Sequence, residues 1–192
     1  VNSDILSHTK VNQFLIPELS IDHIHLYKTI DSTNKAVYLE SINSETDWVV
    51  VASEKQEKGQ AKNQMPFYSP EGKGVYMSVA IRMRESLEQL KTFLAYNSKA
   101  VHQAILKVSG VDSVINDENN ILYNNRKLCG IMTDMVIEAE SQTIKQIIIG
   151  IGIYVHEAAD GNIALTEITG TYCNRSELIA CILNELYRYY HQ

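Results

Sequence analysis

The segment QTIKQIIIGIGIYV, residues 142–155, constrains the fold of this chain more than any other feature. It is almost continuously apolar and rich in isoleucine, a β-branched residue that favours strands. An apolar strand without alternation must be covered on both of its faces. The segment is also shorter than the roughly 20 residues that a membrane-spanning helix needs. It therefore predicts a buried strand near the centre of a sheet.

Patterns typical of strands and of helices occupy most of the remaining chain. Alternating or β-branched runs predict strands, and Asn124-Asn125 predicts a tight hairpin turn. Amphipathic spacing predicts helices, one of which ends at Gly110. The predicted strands cover residues 21–30, 48–56, 74–83, 111–116, 120–140 and 142–155, and the predicted helices cover residues 31–42, 86–110 and 174–190. Together these elements indicate one α+β domain.

Composition and charge exclude several classes of protein. The 192 residues suit a single domain with its own core, and 45% of them are hydrophobic. The formal net charge of −6 argues against a general nucleic-acid-binding protein, which needs a basic face. The N-terminus lacks the apolar segment of a signal peptide. The three cysteines follow neither a disulfide nor a zinc pattern, so we expect a cytoplasmic protein without a structural metal.

Four segments carry motifs whose order and spacing match those of a known family. STN stands at residues 32–34 after a predicted strand, and a loop containing glutamine, glycine and lysine covers residues 56–72. NDENNILYNNRKLCGIM spans residues 116–132, and IGIGIY spans residues 149–154. Together the segments resemble the catalytic domain of biotin–protein ligases, whose fold is shared with lipoate ligases.

The resemblance covers most of the chain and implies its architecture. It implies a class II biotin/lipoate ligase-like catalytic domain over residues 21–192, with a mixed, mostly antiparallel sheet flanked by helices. Residues 1–20 are expected to form an N-terminal extension that is too short for a helix-turn-helix. We expect no C-terminal β domain and no binding of nucleic acid or membrane. Because the sheet of this fold often pairs subunits, we also expect that the chain can form a homodimer.

The resemblance further implies an activity, its cofactors and a partner. Members of the family use ATP and Mg²⁺ to activate their substrate, biotin, as biotinyl-adenylate. They then transfer the acyl group to a lysine on a biotin-accepting carrier domain of a carboxylase. This chemistry needs cations around a carboxylate and a phosphate, because negative charge concentrates where the two groups react.

Individual positions of this sequence match the ligand-binding positions of the family. The resemblance implies that biotin contacts Ser32, Thr33, Gln56, Gly59, Lys127, Gly150 and Gly152, and that the nucleotide contacts Lys62, Phe67 and Asn119. Two groups of these residues also have a purely structural interpretation. Residues 31–33 are good helix caps, and the glycines within residues 150–152 could reflect tight packing or a bulge.

The chain departs from the family at positions that face phosphate. The family has arginines in the loop and a lysine, before the hairpin, that bridges carboxylate and phosphate. The corresponding residues of this chain are Gln60, Lys62, Met65 and Asn116. Asp117 and Glu118 add negative charge nearby, and Tyr154 replaces a family asparagine. Lys62 is the best remaining cation in the loop, although it offers a mobile point charge where arginine offers a rigid fork.

Two functions are compatible with this pattern. The first is a biotin–protein ligase whose adenylation is slow or altered because cations are missing. The second is a non-catalytic homologue that binds biotin or a carrier protein in a regulatory role. Nucleophilic catalysis by Cys129 is a weaker alternative, because no histidine lies near it in the sequence and a buried strand position accounts for it.

Overall fold

The computed structural model describes residues 4–19 and 21–192, and for residue 21 it describes the backbone only. Residues 1–3 and 20 lie outside the described residues, as does the predicted boundary between the extension and the domain. In the described part of the chain, one sheet contains the strands β1 (Ile24–Ile30), β2 (Trp48–Gln56), β3 (Gly74–Ser86), β4 (Val114–Ile115), β5 (Ile121–Tyr123), β6 (Arg126–Glu138) and β7 (Thr143–Tyr154). The α-helices are α1 (His8–Asn12), α2 (Thr33–Ile42), α3 (Leu90–Ser109), α4 (Leu165–Thr169) and α5 (Arg175–Tyr190).

The sheet is mixed and mostly antiparallel, which confirms the expected α+β architecture. Its strand order is β1-β2-β3-β7-β6-β5-β4, and among the described strands only β1 and β2 pair in parallel. β7 lies between β3 and β6, as its apolar sequence predicts. The β7 side chains buried in the main core include those of Ile147, Ile149, Ile151 and Ile153.

Two long helices cover the core face of the sheet. α3 and α5 pack against each other, and both contribute buried residues to the main core. α3 ends at Gly110 as predicted, and this glycine has a φ of +73°, in the left-handed region that favours glycine. The hairpin turn between β5 and β6 is also confirmed, because Asn124 and Asn125 have φ angles of +49° and +61°.

Several element boundaries differ from the prediction. Residues 21–23 form a 3₁₀ turn, so β1 begins at Ile24. β3 continues to Ser86, whose hydroxyl caps a further 3₁₀ turn, and α3 begins only after that turn. The strand predicted over residues 111–116 is reduced to β4. α1 and α4 were not predicted, because helices of five residues are too short to show a helical repeat.

The opposite face of the sheet is only partly covered. α2 packs there on β2, β3 and β7 through a cluster that includes Val37, Val51 and Ile148. Beyond the N-terminus of α2, the same face carries Gly130 on β6 and Gly152 on β7, which are paired in register. Because glycine has no side chain, the sheet backbone is uncovered at Gly130 and Gly152. We call this patch of bare backbone the glycine floor. Within residues 4–19 and 21–192, no helix has both the length and the apolar character needed to cross a membrane.

Candidate functional site

A cavity of about 380 Å³ lies over this glycine floor. Its walls come from the N-terminus of α2, the loop of residues 57–73 between β2 and β3 (the β2–β3 loop), the turn of residues 116–120, and strands β6 and β7. The volume is within the range of small-molecule sites. The predicted ligand and nucleotide residues that line it are Ser32, Thr33, Gln56, Lys62, Phe67, Lys127, Gly150 and Gly152. Gly59, Asn116 and Asn119 do not line this cavity.

A hydrogen-bonded network fixes the polar side chains beside α2. The Gln56 Oε1 atom accepts from the Thr33 backbone N–H at 2.9 Å and from the Thr33 hydroxyl at 3.1 Å. The Gln56 amide donates in turn to Ser69 Oγ at 3.1 Å. Ser78, buried on β3, donates to Thr33 Oγ1 at 2.7 Å. The network joins α2 to β2 and β3, so the polar wall of the cavity is held in place before any ligand enters.

The hydroxyl of Ser32 is available within this wall. Ser32 occupies the N-cap position of α2 with extended backbone angles, but its side chain makes no cap hydrogen bond. Its hydroxyl makes no other hydrogen bond with the described residues, whereas its backbone carbonyl accepts from the Ala36 N–H within α2. The capping interpretation therefore explains the position of Ser32 in the fold but not the use of its hydroxyl.

Gly150 and Gly152 are needed for close packing by side chains of this chain. A Cβ atom on Gly150 would lie 2.3 Å from Asn34 Oδ1, and one on Gly152 would lie 2.4 Å from Phe67 Cζ. Gly59 is similarly crowded, since its Cβ would lie 2.7 Å from Ser69 Oγ. The packing interpretation thus applies to all three glycines, while Gly150 and Gly152 also line the cavity.

Phe67 extends from the β2–β3 loop onto the glycine floor. Its ring stacks on that of Tyr154 with a centroid separation of 5.1 Å and an angle of 5°. The two rings belong to a small apolar cluster with Tyr76 and Ala164. Phe67 is only 8% exposed and lines one side of the cavity, with Tyr154 packed behind it.

The charged residues of the cavity are lysines and carboxylates, with no arginine in the described lining. The lysines are Lys35, Lys62 and Lys127, and the acids are Glu118 and Asp134. The Lys127 ammonium lies 6.0 Å from the centroid of the Phe67 ring and makes no ion pair or hydrogen bond with the described residues. The Lys62 ammonium donates to the carbonyl oxygen of Glu118, which ties the β2–β3 loop to the turn of residues 116–120 across the cavity.

Asn116, at the family's lysine position, uses its side chain to stabilise the turn of residues 116–120. Asn116 Oδ1 accepts from the backbone N–H groups of Glu118 at 3.1 Å and of Asn120 at 2.9 Å. Asn119 has a φ of +63° and lines a neighbouring cavity of about 370 Å³, together with Lys62 and Asp134. Asn116 therefore holds the shape of the turn, and Asn119 lies beside the main cavity.

The described residues support neither a cysteine nucleophile nor a metal site built from three or more protein side chains. Cys129 is fully buried in the core, and burial raises the pKa of its thiol far above the usual value, so the reactive thiolate is disfavoured. No group of three or more histidine, cysteine, aspartate or glutamate side chains in this part of the chain could hold a metal ion.

Several residues of the site are not identified by the sequence motifs. Ser69 and Ser78 support Gln56 and Thr33, Asn34 covers Gly150, and Asp134 accepts from the Asn34 amide at 3.4 Å. The alternation of β3 places Ser78 on the same face as Tyr76 and Ala80, but no local pattern identifies its partners on α2. These roles depend on strand pairing between distant segments.

A family profile and two relatives of known sequence relate this chain to biotin and lipoate ligases. The profile of the biotin/lipoate A/B protein ligase family matches residues 26–153. A bifunctional ligase/repressor BirA of Bacillus subtilis is 29% identical over 93% of this chain and 57% of its own length. A protein of the same name from Bacillus spizizenii is 30% identical over 81% of this chain and 47% of its own length. The chain thus spans about half the length of these curated relatives.

Solved structures show the same fold at lower sequence identity. A biotin protein ligase from Leishmania major in complex with biotinyl-5-AMP has a TM-score of 0.75 and 18% identity, over 86% of this chain and 73% of that one. A biotin protein ligase from Aquifex aeolicus in complex with biotin and ATP has a TM-score of 0.71 and 22% identity, over 87% of this chain and 69% of that one.

Proposed function

Because the chain belongs to the biotin/lipoate A/B protein ligase family, we propose that it binds biotin and activates it with ATP as biotinyl-adenylate. The acyl group then passes to a lysine of a carrier domain of a carboxylase. Both the activity and the partner go beyond what the family assignment establishes, since the chain spans only part of its relatives.

The observation that carries the proposal is a pair of polar groups along the glycine floor that have no hydrogen-bond or ion-pair partner among residues 4–19 and 21–192. The Ser32 hydroxyl belongs to the α2 end of the cavity, near the side of the floor where Asn34 covers Gly150. The Lys127 ammonium lies near Gly130, beside Gly152. Biotin carries a ureido ring at one end and a carboxylate at the other. The polar wall of Ser32, Thr33 and Gln56 suits the ureido group, and Lys127 suits the carboxylate.

The nucleotide belongs on the side of the cavity that Lys62 and Phe67 line, with Asn119 in the neighbouring cavity. Mg²⁺ bound with ATP needs only one or two protein carboxylates. Glu118 and Asp134 line the cavity and fit this requirement. When bound, the ion would neutralise phosphate charge, which makes these acids less repulsive toward ATP than the sequence alone implies.

We expect adenylation by this chain to be slow. Gln60 and Met65 line the cavity without charge, and the Asn116 side chain is hydrogen-bonded within its own turn. The developing charge is therefore left to lysines of the lining, above all Lys62 and Lys127. Removing one preorganised electrostatic contact typically lowers a rate by 10²–10³. A non-catalytic homologue that binds biotin or a carrier protein is the second candidate, and the same uncharged residues favour it.

Biotin-dependent release of pyrophosphate from ATP tests the proposal. Purified protein is incubated with ATP, Mg²⁺ and pyrophosphatase, with and without biotin, and phosphate is followed over hours to detect slow turnover. We expect a release rate that depends on biotin and saturates with it. Saturable biotin binding without any biotin-dependent release would favour the non-catalytic candidate.

A further inference from the structure

Arg175, the first residue of α5, is a buried cation that contacts three distant segments of the chain. Its side chain is only 1% exposed. The guanidinium donates to Asp4 Oδ2 at 2.7 Å, to the Asp4 backbone carbonyl, and to the Gly74 carbonyl at 3.1 Å. Its Nη1 atom also lies 2.8 Å from Glu54 Oε2. Because a buried charge is costly unless it is paired and hydrogen-bonded, these contacts fix the guanidinium in one position.

The contacts to Glu54 and Gly74 lie where β2 and β3 separate to form the β2–β3 loop. The antiparallel ladder between the two strands ends at the pair Ser53–Tyr76. Glu54 is the next residue of β2, and Gly74 is the first residue of β3. Arg175 therefore bridges the strands just beyond the last pair of their ladder, and this bridge sets the distance between the two ends of the loop.

The ends of the loop carry groups that belong to the main cavity. The Gly72 N–H donates to the Glu54 carbonyl at 3.0 Å, and the Gln56 N–H donates to the Ser69 carbonyl at 3.3 Å. Both bonds cross the base of the loop, so they depend on the distance between its ends. Gln56 and Lys62 line the cavity, and their positions depend on this distance in turn.

Arg175 does not line the main cavity, so it can act on a ligand there only through the loop. We propose that Arg175 is a positioning residue that holds the two ends of the β2–β3 loop together, and that Asp4 keeps its guanidinium in place. The loop then presents Lys62 to the cavity in one geometry. This inference rests on the proposed function, in which Lys62 stabilises the phosphates of ATP.

Hydrogen exchange of the Arg175→Lys protein tests this role without any ligand. The variant keeps a positive charge beside Asp4 and Glu54, but a single ammonium cannot replace the planar fork of arginine. We expect the amides of Gly72 and Gln56 to exchange at least about tenfold faster than in the wild type, because the base of the loop opens locally. Asp4→Ala keeps the arginine and removes only the acceptor that holds it, so it is a milder variant that should accelerate the same two amides.

Two control variants separate this role from a general loss of stability. Arg188→Lys makes the same substitution at an exposed position of α5, and Ile105→Val shortens a fully buried side chain of α3. Both should keep wild-type exchange of the two loop amides, although Ile105→Val unfolds at a lower concentration of urea. Wild-type exchange of these amides in either Arg175→Lys or Asp4→Ala would overturn the proposal, as would an equal acceleration in Ile105→Val.

Biotin-dependent pyrophosphate release separates this inference from the proposed function. Arg175→Lys should raise the KM for ATP at least about tenfold, because Lys62 is no longer held in one geometry, whereas Ile105→Val should keep the wild-type KM. Faster loop exchange with a wild-type KM for ATP would overturn the positioning role. Faster loop exchange in Arg175→Lys, together with a wild-type protein that shows no biotin-dependent release, would overturn biotin activation alone and uphold the part of Arg175 in holding the loop.

Discussion

Lys62 and Lys127 are the two cavity lysines to which the proposed chemistry assigns different tasks. Lys62 lies on the loop and already bridges to the Glu118 carbonyl, whereas Lys127 belongs to β6 and makes no ion pair or hydrogen bond with the described residues. In the proposed function, the first holds phosphate where the loop meets the turn of residues 116–120. The second holds the carboxylate of biotin.

Lys62→Ala should lower biotin-dependent pyrophosphate release by about 100-fold, because it removes the best remaining cation of the loop. Biotin affinity should change little. Lys73→Ala, in the same loop but paired at 3.8 Å with Glu157, is the matched control and should keep wild-type turnover. A fully active Lys62→Ala protein would mean that the loop does not hold phosphate through this residue.

Lys127→Ala should weaken biotin binding by about tenfold or more, because it removes a charge-assisted hydrogen bond to the carboxylate. Calorimetric titration measures the effect. Lys99→Ala, an exposed lysine on α3, should bind biotin as the wild type does. Equal affinities for both variants would place the carboxylate elsewhere.

The residues of the site were predictable to different degrees. Ser32, Gln56 and Lys127 were assigned from motifs, and the structure brings them to one cavity. The sequence does not predict that the Asn116 side chain accepts from backbone N–H groups of its own turn, or that Phe67 stacks on Tyr154. Both depend on the local geometry of loops and on register between distant strands, which residue types do not specify.

At the level of elements, the site depends on the junction of α2 with β2. Gln56 is the last residue of β2, and its side chain accepts two hydrogen bonds from Thr33, the first residue of α2. The junction therefore fixes the helix N-terminus that presents the polar wall to the cavity.

Gln56→Ala should lower the free energy of unfolding by about 1–2 kcal/mol, because the Thr33 backbone N–H loses its acceptor. Urea denaturation measures this change, and biotin affinity should fall with it. Gln103→Ala on α3, whose side chain makes no hydrogen bond with the described residues, should stay within about 0.5 kcal/mol of the wild type. A Gln56→Ala protein of unchanged stability would show that the junction contributes nothing.

Element types followed from the sequence where the pattern was long or chemically distinct. β7 was predicted from its unbroken apolar run, the end of α3 from Gly110, and the hairpin from Asn124-Asn125. α1 and α4 were missed because they are held by tertiary packing rather than by a helical repeat. Val11 of α1, for example, is fully buried in the core.

At the scale of the whole molecule, a cluster of charged side chains joins the N-terminal segment, at Asp4, to β2, at Glu54, and to the start of α5. Arg175, at the start of α5, donates to Asp4 Oδ2 at 2.7 Å and to the Gly74 carbonyl at 3.1 Å, and its Nη1 lies 2.8 Å from Glu54 Oε2. His156 lies 2.9 Å from the same Asp4 oxygen. Burial alone would raise the pKa of Asp4, but hydrogen bonds from His156 and Arg175 outweigh it and hold that pKa below its usual value of 3.8.

This cluster should make stability sensitive to acid. A carboxyl group whose pKa is lower in the folded state stabilises the fold above its unfolded pKa, and this contribution is lost as pH falls through the folded pKa. The wild type should therefore be more stable than Asp4→Asn at pH 7, and the difference should shrink as the pH falls below about 3.8. Urea denaturation at pH 7 and at pH 3 measures it.

The control for this prediction is Asp112→Asn, which changes an exposed carboxylate away from the cluster. It should show no comparable stability difference at pH 7. An Asp4→Asn protein that matches the wild type at both pH values would show that the cluster does not anchor the N-terminal segment.

The central claim is that the cavity over the glycine floor binds biotin through a polar wall at one end and Lys127 at the other. Calorimetric titration of biotin into the wild-type protein, compared with biotin amide, in which the carboxylate is neutralised, tests this claim most directly. We predict saturable one-to-one binding of biotin and at least about tenfold weaker binding of the amide, with Lys127→Ala removing the preference. The absence of biotin binding, or equal affinity of the wild type for both compounds, would contradict this account.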